Sequence, residues 1–228
     1  MNIAIIPARG GSKRIPRKNI KAFHGKPMIA YSIEAALKSG CFDDVIVSTD
    51  DEEIAAIALQ YGATVPFVRP AEISDDYATT LDVIAHALTW CQQNQMDVDN
   101  ACCIYATAPF ISVSSIQEGL SALTGDDVRY AFSATSYAFP IQRALKINQQ
   151  DRVEMFHSEH LNTRSQDLDE AYHDAGQFYW GKAQAFLNKE PIFGPNSKVV
   201  LLPRKRVQDI DTQEDWELAE ALYRVIEC

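Results

Sequence analysis

NIAIIPARGGSKRIPRKN, residues 2–19, joins a mostly apolar run to a basic loop that contains two adjacent glycines. The run from Asn2 to Pro7 is typical of a buried strand, so the loop begins where that strand ends. In open α/β sheets, ligands bind beyond the carboxyl ends of the strands. Glycines allow a sharp turn, and successive amide groups in such a turn form an anion-binding nest. The segment therefore predicts an α/β sheet with an anion-binding loop after its first strand.

The side chains of this loop are suited to phosphate. Arg9 offers a planar fork that matches phosphate oxygens, and Lys13 and Lys18 offer mobile point charges. Gly10 and Gly11 do not belong to a GxxxxGK[ST] or GxGxxG pattern, so the usual signals of kinases, NTPases and Rossmann dehydrogenases are missing. The alternative is a solvated basic loop, which the preceding strand and the glycine pair disfavour.

Charge is distributed unevenly along the chain. Residues 1–33 hold seven basic side chains and no acidic one, whereas the whole chain holds 21 basic and 31 acidic side chains. The remaining 195 residues therefore hold 14 basic and 31 acidic side chains, a net charge of −17. A basic segment on an acidic body attracts a small anion, while the body repels an extended polyanion. A phosphorylated small molecule is thus a better ligand than DNA or RNA.

Size and composition predict a single domain, residues 1–228, with an ordinary core. Apolar residues make up 46% of the chain and charged residues 23%. The five cysteines form no CxxC pattern and are interpreted as free thiols in a reducing compartment. The sequence shows no signal peptide and no apolar membrane span. We expect a cytoplasmic protein without a membrane partner.

Strand-like and helix-like segments alternate, which predicts a Rossmann-like, mostly parallel sheet wrapped by helices. The predicted strands are 2–7, 43–49, 64–68, 101–105, 129–137, 176–180 and 198–202. The predicted helices begin near Pro27, Asp50, Thr79 or Thr80, Ser112 and Thr212. From Phe139 to Ala175 the alternation stops and the composition becomes polar. We expect this stretch, about 139–175, to form an arm inserted into the domain.

Two helix details can be read from spacing. The predicted buried stripe of the first helix consists of Ile29, Ile33, Ala36 and Leu37. Asp50 and Glu53 form a capping-box pattern at the start of the second helix. The Asp50-Asp51 pair is therefore interpreted as a helix cap.

Asp209 and Asp211 precede the last predicted helix. In an extended segment, residues two apart project to the same side, so both carboxylates can face one cation. Oxygen ligands without histidine or cysteine suit Mg²⁺, which takes one or two carboxylates together with water and phosphate oxygens. Helix capping explains the same pair equally well. Spacing alone leaves both interpretations open.

The histidines and a run of aromatic residues give weaker signals. His157 and His160 have an HxxH spacing, but no cysteine lies nearby to complete a zinc site. Phe178, Tyr179 and Trp180 could stack on a ligand, although three aromatics in a central strand are more often core residues. Neither pattern carries a functional assignment by itself.

The segment from Arg9 to Asn19 resembles the signature of the CMP-sugar synthetases, the acylneuraminate cytidylyltransferase family, which couple CTP to acidic 2-keto sugars. The resemblance extends over nearly the whole chain. Its further motifs are Ser48-Thr49-Asp50, Arg69-Pro70-Ala71-Glu72 and Asp209-Ile210-Asp211-Thr212. It implies the nucleotide-diphospho-sugar transferase type of α/β fold, and it favours metal over capping at Asp209 and Asp211, with Mg²⁺ as the cofactor.

The same resemblance implies a reaction and a set of site residues. The anomeric hydroxyl of the sugar is expected to attack the α-phosphorus of CTP and release pyrophosphate. The expected catalytic residues are Arg9, Lys18 and Asp211. CTP is expected to contact Arg9, Gly11, Ser12, Lys13, Asn19, Arg69 and Thr80. The arm corresponds to the part that family members use for contacts across a two-fold axis, which implies a homodimer.

Two segments depart from the sialic acid synthetases of this family. Those enzymes carry Gln-Pro-Thr-Ser-Pro-Leu-Arg where this chain has Tyr105 to Ile111, and Arg-Pro-Asn-Gly-Ala where it has His173 to Gln177. Both departures fall where the family binds its sugar. The variant pattern is similar to that of pseudaminic acid cytidylyltransferases. The expected partners are CTP and an acidic nine-carbon 2-keto sugar, with the sugar bound by Tyr105, Arg143, His173 and Gln177.

Three alternatives remain open at this point. A sialic acid or legionaminic acid cytidylyltransferase would share the nucleotide motifs and differ in its sugar pocket. A non-catalytic nucleotide-binding regulator could keep the fold. The Rossmann dehydrogenase alternative lacks its glycine fingerprint.

Overall fold

A six-stranded sheet forms the centre of the computed structural model, which describes residues 1–75 and 77–227. The strands are β1 (Asn2–Pro7), β2 (Ala22–Phe23), β3 (Lys26–Pro27), β4 (Asp44–Ser48), β5 (Asn100–Ile104), β6 (Tyr130–Ser136), β7 (Leu145–Ile147), β8 (Val153–Met155), β9 (Tyr172–Lys182) and β10 (Ser197–Leu201). The α-helices are α1 (Met28–Ser39), α2 (Glu52–Gln60), α3 (Thr80–Gln93), α4 (Val113–Ala122), α5 (Ala183–Leu187) and α6 (Gln213–Glu227).

The sheet has the strand order β10-β6-β9-β5-β1-β4. The pairs β1–β4, β1–β5 and β6–β10 are parallel, whereas β9 runs antiparallel to both β5 and β6. The prediction of a mostly parallel sheet flanked by helices is confirmed. β9 begins at Tyr172, so the last residues of the predicted arm already belong to the sheet.

Both faces of the sheet are buried, because alternate residues of each central strand face different helices. Ala4 and Ile6 of β1 pack in one apolar cluster with residues of α1, α2 and α4. Ile3 and Ile5 pack in a second cluster with residues of α3 and α5. This double burial explains why the strands read as continuous apolar runs. Phe178, Tyr179 and Trp180 of β9 are buried, which confirms their core assignment.

A third apolar cluster joins the basic loop to the last helix. Ile15 of the loop and Phe23 of β2 are buried against Ile210 and Trp216. The loop after β1 and the segment containing the two aspartates therefore share a small core. This packing brings residues close that are almost 200 positions apart in the chain.

The first two helices differ from the prediction in detail. α1 follows Pro27 and ends at Gly40, whose φ of 65° is the left-handed conformation typical of a helix end. Leu37 is not part of the buried stripe, because it is 46% exposed at the edge of the molecule beside Gly62. The predicted cap of α2 at Asp50 is wrong, because Asp51 accepts the backbone N–H groups of Glu53 and Ile54. Asp50 instead contacts the basic loop.

Other differences involve short elements. Residues 64–68 do not form the predicted strand; they make isolated bridges from Thr64 to Ile46 and from Val68 to Thr49. The β2–β3 hairpin and the five-residue helix α5 were not predicted. Neither is long enough to show a hydrophobic period in the sequence. The hairpin is held by Phe23 in the third apolar cluster, and α5 packs against the sheet.

The arm between β6 and β9 contains the β7–β8 hairpin and three single turns of 3₁₀ helix, at residues 141–143, 158–160 and 165–167. Many of its large apolar side chains are exposed in a single chain. They are Phe139, Ile141, Leu145, Ile147, Val153, Phe156 and Leu161. In a single chain, much of the apolar surface of the arm is therefore exposed to solvent.

Two further expectations concern the thiols and the membrane. Cys41, Cys91, Cys102 and Cys103 are free, as predicted, and Cys228 lies outside the described residues. Among the described helices, none has the length and apolar character needed to cross a bilayer.

Candidate active site

A cavity of about 450 Å³ lies at the carboxyl ends of β1 and β5. It collects nine of the residues singled out in the sequence: Arg9, Ser12, Lys13, Lys18, Asn19, Arg69, Thr80, Tyr105 and Asp211. The parallel strands β1 and β5 deliver the basic loop and Tyr105 to the same edge of the sheet. The predicted position of the ligand site, beyond the carboxyl ends of the strands, therefore coincides with a cavity.

The basic loop is held by its own backbone and by a buried asparagine. Residues 13–20 form consecutive turns, in which the Lys18 N–H donates to the Ile15 carbonyl at 3.2 Å. The buried Asn19 amide donates to the Arg9 carbonyl at 3.0 Å, and this contact closes the loop on itself. The cationic side chains thus project from a fixed frame.

The segment after β4 fixes both ends of this loop. The Gly10 N–H donates to the Asp50 carboxylate at 2.9 Å, and the Arg17 guanidinium pairs with Asp51 and Glu53. Arg17 holds the pKa of Asp51 at about 2. A Cβ atom at Gly10 would lie 2.7 Å from an Asp51 oxygen, so this position requires glycine. The sequence did not reveal this clamp, because it joins segments about 40 residues apart.

Arg69 is the most buried cation of the cavity. Its side chain is 3% exposed, and its Nε and Nη2 atoms find no hydrogen-bond acceptor among the described residues. Its nearest carboxylate, Asp50, is 3.8 Å away, and burial lowers the pKa of the guanidinium. A buried donor without an acceptor costs free energy, so this side chain is suited to a ligand that supplies one.

The two aspartates before α6 occupy different environments. Asp211 lines the cavity and pairs with Arg14 at 2.9 Å and with Lys18 at 3.2 Å. Asp209 does not line the cavity. Burial and the neighbouring Asp211 charge raise its pKa. The sequence did not single out Arg14, because nothing in the spacing separates it from the other basic residues of the loop.

A different pair of residues caps α6. Thr212 accepts the Asp215 N–H at 3.2 Å, and the Asp215 carboxylate accepts the Thr212 N–H at 2.7 Å. This reciprocal pair is a capping box with aspartate in the glutamate position. The capping alternative for Asp209 and Asp211 therefore loses its support.

The two aspartates suit a hard cation whose remaining coordination positions are filled by a bound ligand. The described residues contain no group of three or more histidine, cysteine or acidic side chains able to enclose a metal by themselves. Mg²⁺ commonly binds through one or two carboxylates plus substrate phosphates. Burial, followed by the charge of Asp211, raises the pKa of Asp209, and a cation bound beside both carboxylates would favour their ionised forms.

Hydroxyl groups form the opposite wall of the cavity. Thr80 Oγ1 and Tyr105 Oη lie 3.0 Å apart, and the rings of Tyr105 and Tyr179 pack together with their centroids 5.4 Å apart. The Tyr179 hydroxyl donates to the Asp174 carboxylate. Burial raises the pKa of both tyrosines above its ordinary value, so both phenols are protonated.

Five predicted site residues lie outside the cavity. Gly11 is exposed on the loop, and Asp209 lies beside the cavity rather than in its wall. Gln177 is buried and donates to the Arg206 carbonyl. His173 packs against the Tyr137 ring at 4.8 Å, and Arg143 is exposed on the arm, 3.4 Å from Ser165 Oγ. A single chain therefore gathers the nucleotide residues but not most of the predicted sugar residues.

An α/β fold with a cationic loop and a carboxylate facing one cavity is the arrangement of a nucleotidyltransferase. The sequence profile described as Cytidylyltransferase matches residues 3–225, and the chain belongs to this family of CTP-using enzymes. It is 50% identical to the pseudaminic acid cytidylyltransferase of Campylobacter jejuni subsp. jejuni serotype O:23/36 (strain 81-176), over 98% of this chain and 97% of the relative.

A more distant relative and a solved structure extend the comparison. The CMP-N,N'-diacetyllegionaminic acid synthase of Legionella pneumophila is 31% identical over 96% of this chain and 95% of its own length. The structure of CMP:2-keto-3-deoxy-manno-octonic acid synthetase complexed with CTP superposes with a TM-score of 0.72 over 99% of both chains, at 17% identity. That last similarity shows a shared fold.

Proposed function

We propose that this cytidylyltransferase transfers CMP from CTP to the anomeric hydroxyl of pseudaminic acid and releases pyrophosphate. The observation that carries the proposal is the cavity in which Arg9, Lys13 and Lys18 face Asp211. The 50% identity to a pseudaminic acid cytidylyltransferase over nearly the full length of both chains supports the choice of sugar.

In this proposal, the triphosphate lies along the basic loop. Arg9 can bind two phosphate oxygens at once, while Lys13 and Lys18 offset the charge that develops on the departing pyrophosphate. The loop is fixed before the ligand arrives, which lowers the cost of ordering it during the reaction. Ser12 and Asn19 line the same cavity.

The cytosine base is assigned to the part of the cavity wall that residues 69–83 form. Ile73, Ala78 and Val83 supply apolar surface there, and Arg69 and Thr80 supply polar groups. The unsatisfied nitrogens of Arg69 suit the carbonyl oxygen and ring nitrogen of cytosine, which are acceptors.

Mg²⁺ would be held by Asp209 and Asp211, and when bound it would neutralise phosphate charge and favour ionisation of the attacking hydroxyl. The chain's own contribution lies in the pairs made by Asp211. Lys18 and Arg14 neutralise this carboxylate in the structure. When the triphosphate draws Lys18 toward its oxygens, Asp211 becomes available as a ligand.

The sugar enters from the side of Tyr105 and the arm. Tyr105 is the only one of the four predicted sugar residues in the wall of the cavity that the described residues form. Arg143 and His173 belong to the arm and the strand at its base. The exposed apolar side chains of the arm support a homodimer in which two arms pack together and complete the sugar sites.

The decisive experiment compares three sugars with the purified enzyme. CTP and Mg²⁺ are supplied with pseudaminic, N-acetylneuraminic or legionaminic acid, and pyrophosphate release and the CMP-sugar are measured. Efficient turnover of pseudaminic acid alone is expected. Preference for either other sugar would replace the proposed substrate within the same family. No pyrophosphate with any of the three would overturn the enzymatic proposal and favour a nucleotide-binding regulator.

A further inference from the structure

The segment that joins β10 to α6, residues 202–211, carries both aspartates of the candidate metal site. A single turn of 3₁₀ helix, Arg204–Arg206, is its regular structure. Three side chains from elsewhere in the fold donate hydrogen bonds to its main-chain carbonyls. These contacts are Thr135 to Leu202 at 2.8 Å, Gln177 to Arg206, and Lys18 to Ile210 at 2.5 Å. The segment is therefore anchored at every fourth residue.

The anchor made by Lys18 is the one that the proposed reaction disturbs. Lys18 lines the cavity and also pairs with Asp211 at 3.2 Å. A triphosphate attracts an ammonium group more strongly than a neutral carbonyl oxygen does. When Lys18 turns toward the phosphates, the Ile210 carbonyl loses its donor while the two aspartates must hold a cation. The nearest remaining side-chain anchor is Gln177, whose acceptor Arg206 lies three residues before Asp209.

Gln177 is itself firmly held on β9. Its backbone N–H donates to the buried Ser133 hydroxyl of β6 at 3.2 Å. Its carbonyl accepts the backbone N–H of Tyr105, just after β5, at 2.9 Å. The residue is 4% exposed. Two neighbouring strands thus fix the position from which the side-chain amide reaches Arg206, so little conformational freedom remains to be lost in that contact.

The chemistry of the amide indicates that the contact with Arg206 is what a glutamine supplies here. The Arg206 carbonyl is an acceptor, so it must face the Nε2 atom of Gln177. The Oε1 atom is then buried without a partner among the described residues. A buried acceptor without a donor costs free energy, which an apolar side chain of the same size would avoid.

We infer that Gln177 is a positioning residue for the aspartate segment and not a ligand of the sugar. It acts through the Arg206 carbonyl and keeps Asp209 and Asp211 in place when Lys18 turns toward the triphosphate. Its position agrees with this role, because Gln177 does not line the cavity. The inference rests on the proposed function, which places the triphosphate and the cation at this cavity.

The test measures the equilibrium affinity for CTP by calorimetry, once with Mg²⁺ and once with EDTA, in the absence of sugar. The ratio of the two dissociation constants reports how much the cation site contributes. Gln177→Met removes the N–H donor and keeps a side chain of similar length. We expect this ratio to fall about tenfold, because loss of an outer contact behind metal ligands weakens metal binding by that order. The affinity in EDTA should stay within twofold of wild type, since the basic loop is untouched.

A second variant and a second measurement separate positioning from the alternatives. Gln177→Leu removes the same donor with a different side-chain shape, and it should give the same fall if the donor is the cause. The KM of the sugar that the enzyme turns over should stay near its wild-type value in both variants. A raised KM for the sugar with an unchanged CTP ratio would overturn the inference and return Gln177 to the sugar site.

The matched control is Gln117→Met on α4. The Gln117 amide also donates to a distant main-chain carbonyl, that of Ser39 at 2.9 Å, but neither residue lines the cavity. This variant should keep the wild-type ratio.

Two outcomes would overturn the inference, and they differ in what else they remove. A ratio within twofold of wild type in both Gln177 variants would remove the positioning role alone. Wild-type protein that binds CTP equally with Mg²⁺ and with EDTA would remove it together with the metal part of the proposed function. A reduced ratio in the variants, without turnover of any sugar, would support the inference and remove only the proposed reaction.

Discussion

Asp211 is the residue at which charge must be exchanged when substrates bind. Its carboxylate is neutralised by Arg14 and Lys18, both of which also line the cavity. A triphosphate offers these cations more negative charge than one carboxylate does. In the proposed reaction, binding of the triphosphate would therefore release Asp211 toward a metal and leave Arg14 and Lys18 paired with phosphate.

The prediction at this residue is that Asp211→Asn abolishes most turnover. We expect kcat to fall by about 100-fold or more with saturating CTP, sugar and Mg²⁺, because asparagine is a poorer ligand for the cation and carries no charge. Steady-state pyrophosphate release provides the measurement. Asp215→Asn is the control, since Asp215 caps α6 beside the same segment; it should lower the melting temperature and keep near-normal kcat. Near-normal turnover of Asp211→Asn would rule out the metal role.

Asp51 shows how a single ion pair ties stability to pH. Its ordinary pKa of 3.8 is lowered to about 2, above all by the hydrogen bond from Arg17. Since the folded-state pKa is the lower one, the stabilisation is present above the unfolded-state value. It is lost as the pH falls through the range from 3.8 to about 2.

We therefore expect Asp51→Asn to lower the free energy of unfolding by about 1 kcal/mol at neutral pH, a value reduced for screening by solvent. Asparagine caps helices as well as aspartate does, so the loss reports on the pair with Arg17. Urea titrations at neutral pH and near pH 2 provide the measurement. The difference between variant and wild type should shrink to a small fraction of its neutral-pH value at the lower pH, and a constant difference would contradict this account.

At the scale of elements, α4 rests on β9 through a glycine. A Cβ atom at Gly119 would lie 2.5 Å from Trp180 and 2.8 Å from Phe178. Trp180 cannot move aside easily, because its indole N–H donates to the Ile116 carbonyl at 2.9 Å and its ring stacks on Phe42. The helix therefore approaches the sheet closely only because this position lacks a side chain.

Gly119→Ala is expected to destabilise the protein by about 1–3 kcal/mol through overpacking. This outweighs the gain of about 1 kcal/mol that alanine brings to a helix interior. Gly194→Ala is the matched control, because its nearest neighbour would be the Pro191 carbonyl oxygen at 3.9 Å. Denaturant midpoints of the two variants give the comparison. A stabilised Gly119→Ala protein would contradict the packing described here.

At the scale of the whole molecule, the arm is the part that a single chain leaves incomplete. Phe139, Ile147 and Leu161 are all more than 60% exposed there. Apolar groups at this density mark contact surfaces in soluble proteins. The sugar residues outside the cavity lie on or beside the same arm, so assembly and sugar binding are expected to depend on each other.

We predict that the wild-type protein sediments as a dimer. In the triple variant Phe139→Ser, Ile147→Ser and Leu161→Ser, the dissociation constant of the dimer should rise at least about 100-fold. The variant should keep its affinity for CTP and lose affinity for the sugar. Val225→Ser, an exposed apolar residue on α6, is the control and should remain a dimer. A wild-type monomer in sedimentation would refute the homodimer.

Local patterns account for what the sequence predicted correctly. β1 and the glycine pair are adjacent in the chain, so a strand followed by an anion loop could be recognised without any long-range contact. Helix α1 was bounded by Pro27 and Gly40 for the same reason. The strand predicted for residues 64–68 is absent, because these residues make only isolated bridges to β4 and to Thr49. A five-residue apolar pattern does not show whether a neighbouring strand pairs with it along its length.

The sequence by itself determined the sheet, the cationic loop and the family, because each of these can be recognised from neighbouring residues or from motifs in a fixed order. Only the tertiary structure decided which acidic residues cap helices and which contact the basic loop. Asp50 and Asp51 serve different partners, Thr212 and Asp215 take the capping role, and Gln177 turns inward. These choices depend on side chains that approach from distant parts of the chain, and their meeting is set by how helices and strands pack rather than by their spacing in sequence.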